Sequence, residues 1–300
     1  MPNPPFISII IPTLNREEIL CNTISCMIRQ NYPNYELIVV DQSSKHTEET
    51  KKFFEENKKK FILIHSDTIG TSHAKNIGAT SAKGELLFFC DDDILPYDDD
   101  LLSHHAKQFE NKNVGGVGGR VIVKDSSMSK NKKHIAYVSK SGVFYDNFSL
   151  KEPGEIDTVH GCNMSFRKEI FEKVHGFDEA FIGNAFREES DLSFRVRRLG
   201  YSLMFEPKAV VLHIRAKTGG TRNYKSRMDW YFYLFHNEVL FFLKHMPKLY
   251  FPFFLLSKAR PILACMFLYG HGSIKAMQTP FRGMFSGIQT YRRGRKEGLY

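Results

Sequence analysis

The stretch that most constrains this chain runs from Glu85 to Asp93. Leu86 to Cys90 is a short, unbroken apolar run, which predicts a strand buried on both faces of a parallel sheet. It stops abruptly in three carboxylates, Asp91, Asp92 and Asp93. Carboxylates gathered at the end of a buried strand repel one another and are costly to desolvate without a cation. In open α/β sheets that same end is where ligands sit. The stretch therefore predicts a divalent metal on hard oxygen ligands, shared with a phosphate-bearing substrate. A second triplet, Asp98 to Asp100, follows Pro96 and precedes a helical pattern of Leu101, Leu102, His105 and Phe109. Acids there read as a helix start, complementing the helix dipole.

The aspartate strand is the fourth in a series. Phe6 to Ile11 is β-branched and reads as a strand stopped by Pro12. The turn Thr13-Leu14-Asn15-Arg16 leads into a helix with Ile19, Leu20, Thr23, Ile24 and Met27 on one face. Glu36 to Val40 is a second strand ending in Asp41, followed by a polar loop and a charged helix from Glu48 to Lys60. Phe61 to His65 is a third strand, and Gly70 to Lys83 a glycine-bounded helix. Four strand–helix alternations within about 110 residues predict a doubly wound, mostly parallel sheet, a single Rossmann-like nucleotide-binding domain. No Gly-x-Gly-x-x-Gly follows the first strand, which argues against a dinucleotide site. An acid at the end of the second strand, Asp41, is placed to accept hydrogen bonds from a ribose or base.

Beyond Val114, four glycines precede Arg120 and a strand at Val121 to Val123; such density predicts close backbone approach. Residues 124 to 156 read as a polar excursion over the cleft. Gly161-Cys162-Asn163 then leads through Phe166 into a helix closed by Gly176, and a second helix opens on Arg187-Glu188-Glu189-Ser190-Asp191. Its first-turn acids complement the dipole, which would also hold a carboxylate ionised, as a general base requires. Phe205 to Ile214 reads as one or two strands ending near His213, a further metal candidate.

Taken together these stretches resemble the family 2 glycosyltransferases. The resemblance is ordered and covers roughly residues 6 to 220. "SIIIPTLNR" is similar to the family's opening strand and turn, "YPNYELIVVDQSS" to its second strand, and "GTSHAKNIGA" to its Gly-x-x-x-Ala-Arg-Asn-x-Gly segment. "LLFFCDDD" is similar to the DXD motif, "GCNMSFRKEIFEKVHGFDEAF" to the acceptor-side segment, and "REESDLSFRVRRLGY" to the Glu-Asp-x-Asp-Leu helix. The chain departs from the pattern with Gln42 after Asp41, Lys75 in place of arginine, and Glu189 in place of aspartate.

The resemblance implies the glycosyltransferase A-type fold and inverting transfer of a hexosyl group from a UDP- or dTDP-linked sugar, with Mn²⁺ or Mg²⁺. It implies a glycan or lipid-linked acceptor, as in polysaccharide biosynthesis. By the same carry-over, Asp91, Asp93 and His213 hold the metal. Pro12, Thr13, Asn15, Arg16, Asp41, Lys75, Asn76, Asp91 and Asp92 bind the sugar nucleotide, and Gly161, Cys162 and Asn163 face the acceptor. Glu189 is the base, with Glu188 and Asp191 as rivals. Residues 1–225 form the catalytic domain, with a nucleotide-sugar half (1–120) and an acceptor half (121–225).

Residues 226–300 are a helical, basic and aromatic extension. The chain's net charge of +9 is concentrated there: residues 241–300 hold ten basic residues against Glu297 alone. Lysines and arginines interrupt every apolar run, so a spanning helix is not expected. Apolar faces with basic residues between them fit helices lying on an anionic membrane surface. The expected location is cytoplasmic and peripheral on the inner face of the cell membrane. Five cysteines without a CxxC pair fit a reducing compartment, and the first residues show no signal-peptide pattern. Nucleic acid is not an expected partner, since the tail carries no recognisable nucleic-acid motif. A nucleotidyltransferase would need a glycine-rich basic loop after Ile11, which is absent. The alternative function is a catalytically silent homologue serving as a membrane-associated assembly partner.

Overall fold

The computed structural model describes residues 4–123, 133–220, 224 and 226–300. The first half alternates as the sequence predicts: β1 (Ile7–Thr13), α1 (Glu18–Ile28), β2 (Tyr35–Asp41), α2 (Glu48–Asn57), β3 (Ile62–His65), α3 (Thr71–Ser81) and β4 (Leu86–Phe89). Every residue of β1 and β4 is buried, as their apolar runs require. After the aspartates come β5 (Ile94–Pro96), α4 (Leu101–Gln108) and β6 (Val114–Val123). A small hairpin of β7 (Ala136–Val138) and β8 (Phe144–Asp146) follows. Then come β9 (Gly154–Glu155), β10 (Met164–Arg167), α5 (Lys168–Lys173), α6 (Glu188–Arg198) and β11 (Ser202–His213).

The large sheet has the order β3-β2-β1-β4-β10-β6-β11-β5, with β9 pairing β11. The strands β1 to β4 run parallel, as do β6 and β11. The short strand β10 enters antiparallel between β4 and β6, so the sheet is mixed where the sequence alone gives a mostly parallel one.

Two details at the carboxyl ends shape the cleft. Pro12 does not stop β1, which pairs with β2 as far as Thr13 and Asp41. Pro12 lacks an N–H, however, and pairing with β4 ends at Ile10 and Phe89, so the two strands part just before the aspartates. On the far side, β11 slips register against β6 between Glu206 and Val210. Asn163 fills that bulge, its Nδ2 donating to Ala209 O at 2.9 Å and Arg120 O at 3.1 Å. Gly119 must be glycine, because a Cβ there would lie 2.2 Å from Asn163 Nδ2. The bulge lets β11 continue to His213, opposite the aspartates. The glycines before Arg120 thus lie inside β6, which is longer than the expected strand at Val121 to Val123.

Four further helices complete the chain: α7 (Arg227–His245), α8 (Phe251–Ser257), α9 (Ala259–Leu263) and α10 (Ile274–Lys296), with a π-helical stretch at Ala264–Tyr269 before the last. The helix α7 is substantially buried, with Phe235, Val239, Leu240, Phe241 and Phe242 inside. It packs on β8 through Phe144 and on α6 through Phe194, whose rings lie 5.2 and 5.3 Å from that of Phe241. The hairpin expected to cover the cleft therefore lies against α7; residues 124–132 of that segment fall outside the described residues. The helices α8 to α10 differ from α7: Leu256 (72% exposed), Phe267 (57%) and Phe281 (59%) stand outward.

Candidate active site

The cleft lies where β1 and β4 part. A cavity of ≈ 340 Å³ is lined by Pro12, Thr13, Arg16, Asp91, Asp92, Asp93 and His213, with Gln42, Gly70 and Thr71 along one wall and Gly183, Gly220, Tyr224 and Tyr233 among the rest. Seven residues singled out from the sequence thus meet in one cavity.

The three aspartates differ in their partners. Asp92 is buried; Thr13 Oγ1 donates to it at 2.7 Å and Arg16 Nε lies 3.6 Å away. Thr23 of α1 ties down its backbone carbonyl at 3.0 Å. Burial pushes the Asp92 carboxyl up to about 7 even against Arg16 and the Thr13 hydroxyl. Asp93 accepts from Ala216 N at 2.8 Å and lies 3.2 Å from His213 Nε2 and 3.6 Å from Arg16 Nη2. Against the cost of burial, those hydrogen bonds and cations hold its carboxyl below the ordinary value, while Asp93 and Asp91 lift His213 above its own despite burial. Asp91 is one-third exposed and lies 3.8 Å from His213 Nε2. Among the described residues no lysine or arginine pairs with it.

Ligating atoms of Asp91, Asp93 and His213 lie within 4.8 Å of one another. Two carboxylates and an imidazole form a donor set suited to Mn²⁺ or Mg²⁺, and the uncompensated charge of Asp91 gives a cation a further reason to bind. The residues present fit such an ion.

The acids of α6 divide more sharply. Glu188 is buried, accepting from Lys75 Nζ at 2.5 Å and from Ser72 Oγ. Lys75 is itself buried; Glu188, Asp91 and Glu189 together lift its ammonium above the ordinary value in spite of desolvation. Asp191 is fully buried, 2.7 Å from both Arg195 and His245 and 2.6 Å from Lys244. Against the cost of burial, Arg195 and Lys244, with the hydrogen bond from His245, hold it well below the usual carboxylate range. Glu189 alone has no ion-pair partner among the described residues; only Ser190 Oγ donates to it, at 3.2 Å. Burial, with the neighbouring Glu188 charge, pushes its carboxyl up to about 7. A carboxylate poised there suits a general base. Glu188 is thus paired with Lys75, and Asp191 with Arg195, Lys244 and His245.

Several expected site residues have partners within the fold or lie outside the cavity lining. Asp41 spends both oxygens locally, accepting from Ser43 N at 2.9 Å and lying 2.7 Å from His46 Nε2. Asn15, in a left-handed turn at φ 52°, is exposed and outside the cavity, beside Ser44 and His46. Asn76 donates to Phe177 O and accepts from Phe177 N, both at 2.9 Å, so it pins a turn rather than a nucleotide. Lys75 serves Glu188 instead of the cavity's polar edge. Cys162 and Asn163 are completely buried, so neither side chain meets an acceptor; Gly161, partly exposed, lies 3.8 Å from Lys75 Nζ as measured from its ideal Cβ. The second aspartate triplet opens α4 without a side-chain cap.

The sequence reading missed Gln42, Gly183 and Tyr233. Gln42 was legible only as a departure from the family pattern. Tyr233 comes from α7, and its ring lies so close to Gly183 that a Cβ there would sit 2.2 Å from it. The cavity is therefore incomplete without the first helix of the extension.

The site is a cluster of acids and a histidine at the strand ends of an α/β sheet, and comparison with known proteins gives the family. The model described as glycosyl transferase family 2 matches residues 8–175, more than half of the chain, which belongs to that family. A second model, the N-terminal domain of galactosyltransferase, matches residues 143–217. A poly-beta-1,6-N-acetyl-D-glucosamine synthase of Staphylococcus epidermidis is 28% identical over 228 residues, 75% of this chain and 53% of that protein. The chain spans between 26% and 65% of the length of the curated relatives compared, and 26% to 53% of the first three. GalNAc-T7, solved with UDP, GalNAc and Mn²⁺, superposes with a TM-score of 0.68 at 15% identity, covering 100% of this chain and 59% of that one. The mannosyltransferase PcManGT of Pyrobaculum calidifontis, solved with GDP-Man and Mn²⁺, gives 0.57 at 20% identity, covering 100% and 83%. At these identities the likeness shows the shared fold.

The Asp191 cluster makes a direct prediction. Asp191→Asn leaves Lys244, His245 and Arg195 buried without their anion, and is expected to cost about 3–5 kcal/mol in urea unfolding near neutral pH. Because the folded-state pKa is depressed, this stability is present above the unfolded value and lost as pH falls. The gap between wild type and variant should therefore narrow below roughly pH 4.

Proposed function

We propose that this chain transfers a hexosyl group from a UDP- or dTDP-linked sugar to a hydroxyl of a glycan or lipid-linked acceptor, with inversion. The observation that carries this reading is the Asp91–Asp93–His213 cluster in the cavity; Glu189, outside the cavity lining, is a carboxyl without an ion-pair partner among the described residues and pushed up to about 7 by burial. The GDP-Man of PcManGT supports a sugar-nucleotide donor, and the UDP and GalNAc of GalNAc-T7 support a uridine one. Asp91, Asp93 and His213 would hold Mn²⁺ or Mg²⁺, which when bound neutralises the diphosphate leaving group as a Lewis acid.

The chain's own residues perform the remaining work. Arg16 adds positive charge beside Asp92 and Asp93 and keeps that edge of the cleft from repelling a diphosphate. Gly70 and Thr71, at the N-terminus of α3, offer backbone N–H groups at the cavity wall. Glu189 takes the proton of the acceptor hydroxyl as its oxygen attacks the anomeric carbon. The diphosphate departs from the opposite face, so the anomeric configuration inverts. Tyr233, flat against Gly183, gives the acceptor side an aromatic surface for a sugar ring.

Glu189→Gln is expected to abolish transfer while leaving nucleotide binding intact, and the wild-type rate should rise about tenfold per pH unit up to roughly pH 7 and then level. Radiolabelled-sugar transfer assays check both; full activity in Glu189→Gln would remove it as the base.

The exposed faces of α8 to α10 support membrane association. Leu256, Phe267, Phe281 and Phe285 stand outward beside Lys258, Arg260, Lys275 and Arg282. Among the described residues no single helix is long and apolar enough to cross a membrane, but the bent pair Lys248–Ser257 and Ala259–Tyr269 together reach that length and composition, with a 46° bend. The reading is a helical surface seated in the inner leaflet of the cell membrane, holding the cleft near a lipid-linked acceptor. The protein should co-sediment with phosphatidylglycerol vesicles at low salt, and Leu256→Glu with Phe267→Glu should abolish this. Failure of wild type to bind such vesicles would sink the membrane reading.

A further inference from the structure

His160 and Cys162 sit in the turn before β10 and have no part in the reaction above. His160 Nδ1 lies 3.2 Å from Cys162 Sγ and 3.4 Å from the Cys162 backbone nitrogen. The amide N–H and the thiol S–H both donate toward one imidazole lone pair. His213 completes the group. Its ring faces that of His160 edge-on, centroids 6.1 Å apart, and one ligating atom from each of the three residues lies within 4.8 Å of the others. His213 also keeps Nδ1 buried without a hydrogen-bond partner among the described residues. A buried ring nitrogen left open, next to a thiol and a second imidazole, is unusual.

We propose that His160, Cys162 and His213 form a binding site for a thiophilic divalent cation, Zn²⁺ above all, which takes the single imidazole lone pair of His213 at Nδ1 and leaves Nε2 protonated beside Asp93, unable to ligate a second ion. Thiolate and imidazole are the donors that zinc prefers, whereas Mg²⁺ and Mn²⁺ prefer carboxylate oxygen. Zinc–sulfur and zinc–nitrogen bonds of about 2.3 and 2.1 Å place tetrahedral sulfur and nitrogen roughly 3.6 Å apart. The existing 3.2 Å contact needs to open by only a few tenths of an ångström. On binding, the Cys162 S–H bond breaks, a sulfur–zinc bond forms and the proton leaves to solvent. The cation replaces the proton that the thiol now shares with His160. His213 also lines the donor cavity, which gives the ion a path in from solvent. The shared histidine makes the two sites antagonistic, so zinc turns the enzyme down and excess Mn²⁺ restores it. That antagonism rests on the function proposed above; the binding does not.

The test uses the purified full chain and metal alone. Titration with Co²⁺ should produce a thiolate-to-cobalt charge-transfer band that saturates at one equivalent and is bleached by Zn²⁺. Zinc binding should release one proton in weakly buffered solution. Cys162→Ser should lose the band and the proton release. His160→Gln should lower the apparent Zn²⁺ affinity at least roughly tenfold. Cys21→Ala with Cys26→Ala, Cys90→Ala, Cys265→Ala and Asp93→Ala should each keep the band, which separates this site from the four other thiols and from the aspartates. Circular dichroism verifies that each variant is folded. No band in wild type, or one that survives in folded Cys162→Ser, overturns the proposal. A normal band without any effect of Zn²⁺ on transfer overturns the antagonism and leaves the binding site standing.

Discussion

Negative charge at the end of β4, and the way it is compensated, governs this molecule. Three successive aspartates leave a buried strand, and two glutamates and another aspartate open α6 nearby. Buried carboxylates without partners are prohibitively costly, so most are matched. Arg16 and Thr13 answer Asp92, Lys75 answers Glu188, and Arg195, Lys244 and His245 answer Asp191. What is left unmatched is Asp91 beside Asp93 and His213, and Glu189. Those are the positions to which the proposed reaction assigns a cation and a proton. Function here is the residue of an otherwise completed charge balance.

The same balance binds the extension to the catalytic body. Glu238 of α7 lies 3.0 Å from Arg187 Nη2 and 2.6 Å from Lys258 Nζ, so one buried carboxylate joins the residue before Glu188 to the outward-facing α8. Arg187 holds a left-handed backbone at φ 80°, a conformation unfavourable for a branched side chain and stabilised here by that pairing and by the Phe144 ring. With Tyr233 in the cavity as well, α7 completes the site, although the family match ends at residue 175.

Much of this was legible in the sequence, for identifiable reasons. The strands β1, β2 and β4 are apolar without interruption, and the aspartate triplet breaks the pattern too sharply to mistake. His213 was readable from its place near a strand end. The antiparallel insertion of β10 was not, because four residues carry no sign of their direction. Asp41, Asn76 and Asn163 were assigned to ligands because they match motif positions, yet each is consumed by backbone groups or by a histidine of its own fold. A polar residue that satisfies buried backbone looks, in a sequence, the same as one that binds substrate. Choosing among Glu188, Glu189 and Asp191 likewise needed the cations from α3 and α7, which lie far away in the chain.

In the proposed reaction Asp91, Asp93 and His213 hold a divalent cation together with a nucleoside diphosphate. The most direct test is thermal unfolding with UDP, with and without Mn²⁺, for wild type and Asp93→Ala. Saturation at a hundred times the dissociation constant should add about 2.7 kcal/mol of stability, and the gain should require both Mn²⁺ and the intact aspartate. Stabilisation by UDP that is indifferent to Mn²⁺ and survives in Asp93→Ala would contradict it.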